Sequence, residues 1–362
     1  MFKRFLTFVT LLVVLTNSCI AQQPKSDSIF NKQYIKRVML NVFNWQLQNP
    51  VGRNKTNGDD WARAVFYSGI MRAYEHTKNE AYLDSALRWS QSVGFKLGER
   101  YRHADDHTRG QAFLELYKYK KDKAMISNVQ AVYDSLIAQP IRGREEWWWC
   151  DALFMSPPVL VRLAKVTGDD KYNKYMNEMW WDTTDFLFDK DESLYYRDKS
   201  YFAMRTATNK KVFWSRGNGW VMGGLVQVLE HLPKNDPYYA RYLNLYKKMA
   251  AKIATLQQAD GLWRASLLDN QEFTNKETSG SAFFVFALAW GVNHHHLDKD
   301  TYMPVVRKGW EALISAVQPS GKLTWVQQIG SEPKSVKESD NQEYGSGAFL
   351  MAGTEMLALK SR

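Results

Sequence analysis

Six apolar runs punctuate the chain, each with a small residue or a proline at or next to its start: SGIMRAYEH from Ser68, RGQAFLELY from Arg109, SPPVLVRLA from Ser156, MGGLVQVLEHL from Met222, SGSAFFVFALAW from Ser279 and GSGAFLMAGTEML from Gly345. Each is apolar on more than one helical face, a pattern a helix sustains only when protein surrounds it. Between them lie segments with one apolar stripe and one charged face, at residues 31–48, 80–97, 123–138, 170–188, 237–258 and 301–317. These read as outer helices. Alternating strand patterns are almost confined to short pieces such as LYYR and KLTWV. The alternation of outer and inner helices predicts an all-α fold, an (α/α)6 toroid with a buried inner ring and an outer shield.

This topology has a consequence for chemistry. Every connection from an outer helix into an inner one emerges at the same end of the barrel, so six connections share one mouth. They carry the unusual residues: NGDDWAR (Asn57 to Arg63), YRHADDHTRG (Tyr101 to Gly110), EEWWWCD (Glu145 to Asp151), FWSRGNGW (Phe213 to Trp220), DGLWRASLLD with ETSGS (Asp260 to Ser281), and KLTWVQQIG with QEYGSG (Lys322 to Gly347). The opposite connections, such as EHTKNEAY and KVTGDDKY, are plain. A site belongs at the first end, where loops sit on a rigid scaffold and helix N-termini favour an anionic ligand.

Within that mouth, Asp151 follows three tryptophans and a cysteine. A carboxyl against aromatic walls holds its proton to higher pH and can serve as a catalytic acid. The plainer reading is an N-cap, for which aspartate is favoured. HADDH supplies a second carboxylate, Asp105, expected to face the pocket while its neighbour Asp106 caps the helix that begins near Thr108. Paired carboxylates from different loops are the usual equipment of glycoside chemistry. His107 and Trp149 flank these groups as candidate substrate contacts. In SRGNGW, Arg216 can grip a carboxylate in bidentate fashion and Trp220 can stack on a sugar. Arg197, in the longest outer-to-inner connection, and Trp61 and Trp263 complete the candidate set. No second ligand cluster accompanies HADDH, so neither a metal nor an organic cofactor is expected. Nor is there a GxSxG elbow, and Cys150 has no activating partner in sequence, which disfavours nucleophilic hydrolysis.

Composition and charge narrow the setting. Residues 1–21 pair Lys3 and Arg4 with an apolar run from Phe5 to Leu15, too short to span a membrane, and end on Ala21. This reads as a secretory leader, with residues 22–362 forming one catalytic domain. Export to the periplasm is expected, and Cys19 keeps a lipid anchor as the alternative. Removing the leader leaves Cys150 as the one cysteine, so no internal disulfide is available. The net charge of +10 becomes about +8 without Lys3 and Arg4, and it is dispersed rather than gathered into runs. That argues against nucleic acid and for an acidic oligosaccharide partner, handled by a monomer with no transmembrane segment. Fourteen tryptophans exceed what a core of this size needs, and flat apolar rings suit pyranose faces.

WWWCDALFMSPP, SRGNGW, DGLWRASLLD, ETSGSAFF and YGSGAFL, in this order across nearly the whole mature chain, resemble glycoside hydrolase family 105. These are the unsaturated rhamnogalacturonyl hydrolases, similar in fold and chemistry to the family 88 unsaturated glucuronyl hydrolases. The resemblance implies the (α/α)6 barrel and one reaction: removal of a 4,5-unsaturated uronate from the non-reducing end of lyase-generated oligosaccharides by hydration of its C4=C5 bond. It further implies Asp151 as general acid and base, Asp105 as the second pocket aspartate with Asp106 as the alternative, and Arg216 and Trp220 as substrate-binding groups. The rhamnogalacturonan branch carries a histidine where this chain has Arg197, so a more anionic, ulvan-type oligosaccharide with sulfated rhamnose stands beside the pectic one. A polysaccharide lyase or sugar epimerase on the same toroid, and a non-catalytic glycan-binding protein, are the competing readings.

Overall fold

Twelve long helices alternate between two rings in the computed structural model, which describes residues 26–51 and 61–359. The expected leader, with Cys19 and Ala21, lies outside those residues, as do Asn57 to Asp60. After a short 3-10 turn come α1 (Lys32–Gln48), α2 (Trp61–Thr77), α3 (Glu80–Ser92), the single turn α4 (Ala104–His107), α5 (Arg109–Lys120), α6 (Ala124–Ala138) and the single turns α7 (Gly143–Glu146) and α8 (Ala152–Met155). Then follow α9 (Pro157–Thr167), α10 (Lys171–Leu187), strands β1 (Phe188–Asp189) and β2 (Leu194–Tyr195), α11 (Ser215–His231), α12 (Tyr239–Thr255), α13 (Thr278–Asn293), α14 (Lys299–Ser315) and α15 (Glu343–Ala358).

The inner ring closes through the contacts of α2 with α5, α5 with α9, α9 with α11, α11 with α13, α13 with α15, and α15 back onto α2. Each of α3, α6, α10, α12 and α14 covers the inner helix that precedes it, and α1 covers α15, so the first outer helix seals the last inner one. The toroid expected from the hydrophobic pattern is the fold observed. LYYR supplies β2, which pairs antiparallel with β1. KLTWV contributes only an isolated bridge between Val317 and Leu323. Among the described residues, no helix is long and apolar enough to cross a membrane.

The small residues that open the apolar runs let the inner helices approach backbone to backbone. A Cβ on Gly69 of α2 would lie 2.4 Å from the Gly347 carbonyl oxygen of α15, and one on Gly224 of α11 would lie 2.1 Å from the Leu153 oxygen. Six helices around one axis leave no width for side chains at such points; forcing a methyl into one costs roughly 1–3 kcal/mol of overpacking.

The end of the barrel opposite the inner-helix N-termini is filled by buried charge. Arg72 donates from Nη1 and Nη2 to Glu230 at 2.8 and 2.6 Å, and from Nε to Thr354 at 3.1 Å. Its Nη2 also reaches Glu355 at 2.5 Å, whose other oxygen accepts from Asn293 at 2.8 Å. Beside it, Arg162 bonds Glu115 at 2.7 Å and Gln227 at 3.0 Å, while His231 approaches Glu115 at 3.6 Å. Against the cost of burial, Arg72 holds the Glu230 carboxyl down at about 2. These groups come from α2, α5, α9, α11, α13 and α15, so the charges tie the inner helices together where they converge.

Candidate active site

The floor of the mouth is aromatic and is assembled from five inner-ring segments. Trp61, the first residue of α2, stacks on Tyr344 of α15 at 5.3 Å with their planes 13° apart. Trp220 of α11 sits 4.9 Å from Phe154 of α8 and 4.6 Å from Phe283 of α13. It is fully buried, so it leaves no free face for the sugar stacking expected of it, and its indole N–H has no described partner. SRGNGW, expected in the connection entering an inner helix, lies inside the first turns of α11. Gly219 carries no side chain because a Cβ there would press within 3.3 Å of Phe283 and the Gly280 backbone.

Two carboxylates stand above this floor. Asp151 occupies the N-cap position of α8 with a helical backbone, yet its side chain accepts no cap hydrogen bond, so helix capping does not account for it. The Cys150 thiol donates to its Oδ1 across 3.5 Å. Asp105 lies in α4, whose cap is supplied by His103, with Asp105 N donating to His103 Nδ1 at 3.3 Å. That arrangement leaves the Asp105 carboxyl free of capping duty. Asp106 does not cap α5: it accepts from the Arg100 backbone N–H at 2.8 Å and Nε at 3.0 Å, and Thr108 at the N-cap of α5 makes no side-chain cap bond.

Electrostatics couples the pair. Burial, then the facing Asp151 carboxylate, push the Asp105 pKa up to about 7. Burial raises Asp151 as well, while Arg197 and Arg216 pull it back. Like charges facing each other in a partly dry site resist ionising together, so the last proton is held up to about pH 7 and belongs to the pair rather than to either residue.

Both arginines keep a buried Nε without a partner among the described residues, and they differ in how many carbonyls and carboxylates their terminal nitrogens serve. Arg216 is 1% exposed. Its Nη1 donates to the Gln327 carbonyl at 2.9 Å and its Nη2 to the carbonyls of Gln328 and Gly330 at 3.2 and 3.4 Å. Arg197 spends Nη1 on Asp198 at 2.6 Å and lies 5.0 Å over the Trp148 ring. Among the described residues, nothing accepts from its buried Nε. The backbone ties it to the residue before Asp151: Cys150 N donates to Arg197 O at 2.8 Å.

Two expected contacts are corrected. His107 is fully buried with both ring nitrogens engaged, Nδ1 with Ser156 Oγ at 3.1 Å and Nε2 with the Tyr101 carbonyl at 2.7 Å. Burial drives its pKa down to about 4, so it is a neutral brace for the α4 loop. Trp263 is also fully buried, donates Nε1–H to Ile253 O at 2.8 Å and packs against Phe284, behind the inner ring. Trp149 is buried and contacts His103 at 4.8 Å, forming wall rather than open platform. The exposed member of the triple is Trp148, at 43%. Trp148 and Tyr344 stand at the mouth beyond the residues the sequence reading selected. Tyr344 was visible in QEYGSG, but nothing in the WWW run tells which ring points outward.

Among the described residues, no group of three or more His, Cys, Asp or Glu side chains gathers as a metal site. The arrangement offers a shared proton, an open guanidinium edge and apolar ring faces, which is equipment for acid–base work on an anionic sugar.

Comparison with known proteins agrees with this chemistry. Over 369 aligned residues the chain is 35% identical to an unsaturated 3S-rhamnoglycuronyl hydrolase of Formosa agariphila, covering 96% of this chain and 97% of that protein. Among solved structures, a family 88 glycosyl hydrolase from Bacteroides vulgatus superposes with a TM-score of 0.85 at 28% identity, covering 90% of this chain and 99% of the other. A polysaccharide lyase superposes with a TM-score of 0.84 at 31% identity, covering 90% and 97%. Residues 33–360 match the sequence profile of Glycosyl Hydrolase Family 88, and the chain therefore belongs to that family of glycoside hydrolases.

Proposed function

We propose that the protein removes a 4,5-unsaturated uronate from the non-reducing end of lyase-generated oligosaccharides, and that the sugar next to it is a sulfated rhamnose, as in ulvan fragments. What supports this is the facing Asp105–Asp151 pair, with Asp105 raised by burial and by Asp151, beside Arg197, whose Nη1 is held by Asp198 while its Nε has no partner among the described residues. Asp151 delivers the proton to C4 of the enol ether and then takes one from the water that adds at C5. The hemiketal so formed opens and releases the remaining oligosaccharide, with no covalent glycosyl-enzyme. Asp105 keeps the pair singly protonated near neutrality. Arg197 offers Nε and Nη2 to a carboxylate or sulfate, a charge-assisted contact that histidine in its place could not make bidentate. The relative's name, which specifies a 3S-rhamnoglycuronyl unit, supports the sulfated reading over the pectic one, and the motif resemblance supports grouping the chain with family 105. Export through residues 1–21 and action as a monomer belong to the same reading, and cell fractionation and size-exclusion chromatography test them.

The structural likeness to a polysaccharide lyase favours one alternative, elimination on the same toroid. Ultraviolet absorbance separates the two by sign. Added to lyase digests of ulvan and of rhamnogalacturonan, a hydrolase of this kind removes the unsaturated-uronate signal, faster in the ulvan digest, whereas a lyase added to intact polymer creates it. Asp151→Asn should slow the loss by at least about a hundredfold, as expected for a general acid. Full turnover in that variant would sink the mechanism.

A further inference from the structure

We infer that Asp198 is a positioning residue that tethers Arg197 beside the Asp105–Asp151 pair and keeps its guanidinium from closing an ion pair with Asp151. The inference rests on Asp151 being the catalytic acid. Arg197 is bonded through its carbonyl to the residue before that acid, so its side chain has carboxylates on two sides to choose from. Its Nη1 lies 2.6 Å from Asp198 Oδ2, and among the described residues no ion pair joins it to Asp151. Asp151 nevertheless feels the cation: burial raises its pKa, and Arg197 leads the groups that pull it back. Were the guanidinium to swing fully onto Asp151, the charge-assisted contact would hold that carboxyl ionised, and an ionised carboxyl has no proton to give to C4.

The surroundings of Asp198 oppose that swing. It is 7% exposed, and its Oδ1 accepts from Ser200 N at 2.9 Å and from Ser200 Oγ at 2.6 Å, capping the short 3-10 turn Lys199–Tyr201. Those bonds leave Oδ2 to Arg197, whose guanidinium rests 5.0 Å over the Trp148 ring. Burial works against the Asp198 charge, but Arg197 and Ser200 outweigh it and hold the carboxyl below its usual range. The tether is therefore charged wherever the catalytic pair titrates. The other ionisable groups around the pair are engaged elsewhere or carry the wrong charge to restrain Arg197. Arg216 gives its terminal nitrogens to the carbonyls of Gln327, Gln328 and Gly330, and Arg100 is paired with Asp106. The Cys150 thiol donates to Asp151 itself, and Tyr201 O–H donates to Ser331 O at 2.6 Å.

Asp198→Asn separates the tether from the turn, because asparagine still caps through its Oδ1 while its amide nitrogen cannot accept from Arg197. A crystal structure of that variant near neutral pH, which needs no substrate, should show Arg197 paired with Asp151. A guanidinium left in its wild-type position would overturn the inference. In the absorbance assay the alkaline decline of kcat/KM, which reports the free enzyme, should move to lower pH by about one unit or more. Activity then falls roughly tenfold at pH 8 and stays closest to wild type at pH 5. Arg197→Ala should move the decline to higher pH, and adding Asp198→Asn to it should change nothing further. An equal downward shift in both backgrounds would mean that Asp198 acts by its own charge and not through Arg197, which also overturns the tether. Should Asp198→Asn fail to fold, Asp198→Ser, which also keeps a capping oxygen, gives the same readings. Absence of turnover on every unsaturated digest would sink the proposed reaction, while the crystal structure still decides the tether.

Discussion

Asparagine at position 105 should make the protein more stable and less active, and the gain should depend on pH. Burial and Asp151 lift the Asp105 pKa from 3.8 to about 7, so the folded state holds a proton there that the unfolded chain has given up. Stability then falls as pH rises from about 4 to about 7, where the folded carboxyl finally ionises, and is level above that. Asparagine, of the same shape and without charge, escapes the loss. Between pH 5 and pH 8 the advantage of Asp105→Asn over wild type should grow by two pKa units, at most ~3 kcal/mol. Partial solvent contact at Asp105 reduces this toward ~1–2 kcal/mol, or roughly 2–5 °C in Tm for a chain of this size. Differential scanning fluorimetry at the two pH values measures it, with the absorbance assay run in parallel. A gap between variant and wild type that is equal at pH 5 and pH 8, or narrower at pH 8, would refute the coupled pair. The same coupling predicts that wild-type activity declines as pH rises through about 7, and that Asp105→Asn, by removing the facing negative charge, lowers the proton affinity of Asp151 and moves the decline to lower pH.

At the charged end of the barrel, Arg72→Met should cost roughly 3–5 kcal/mol, because it strands Glu230 and Glu355 without their cation; urea unfolding monitored by circular dichroism checks it, and a loss below ~1 kcal/mol would mean the carboxylates find other partners. Arg197→His should reduce kcat/KM about 10–100-fold more on a sulfated digest than on an unsulfated one, the range of one charge-assisted hydrogen bond; equal loss on both would remove Arg197 from sulfate recognition. Gly69→Ala should lower Tm while leaving KM unchanged, since it wedges α2 from α15 away from the mouth, and a selective rise in KM would place that contact closer to the site than described.

The helical periodicity announced the architecture because inner and outer helices obey different rules. The former are apolar all round and the latter striped, and the observed ranges follow the predicted ones within a few residues, apart from α3 and the starts of some inner helices. Arg-Gly-Asn-Gly was legible as the entrance to an inner helix, though not as part of its first turns. In α11, Gly217 and Gly219 are helical where Cys150 and Gly280 crowd the backbone, a constraint set by residues far along the chain. Asp151 and Asp105 could be singled out because topology sends their loops to one mouth. His107 and Trp263 could not be excluded in advance: a histidine beside a pocket aspartate and a tryptophan in a mouth loop look alike whether they face ligand or core, and only Ser156, the Tyr101 carbonyl and Ile253 O reveal that their polar atoms are spent. Arg72, Glu230 and Glu355 were invisible for a related reason. They sit 158 and 283 residues apart, and no local pattern marks such partners.

The buried charges at the bottom of the ring make the barrel a blind cup. Arg72, Arg162 and Glu115 stand where a polymer would have to leave if it threaded through, so a glycan can present only a terminus and must back out by the route it came. Such a vessel suits trimming one residue at a time and forbids sliding along an intact strand. It also makes departing product and arriving oligosaccharide queue for the same opening, so accumulated monosaccharide should compete directly with the next chain end.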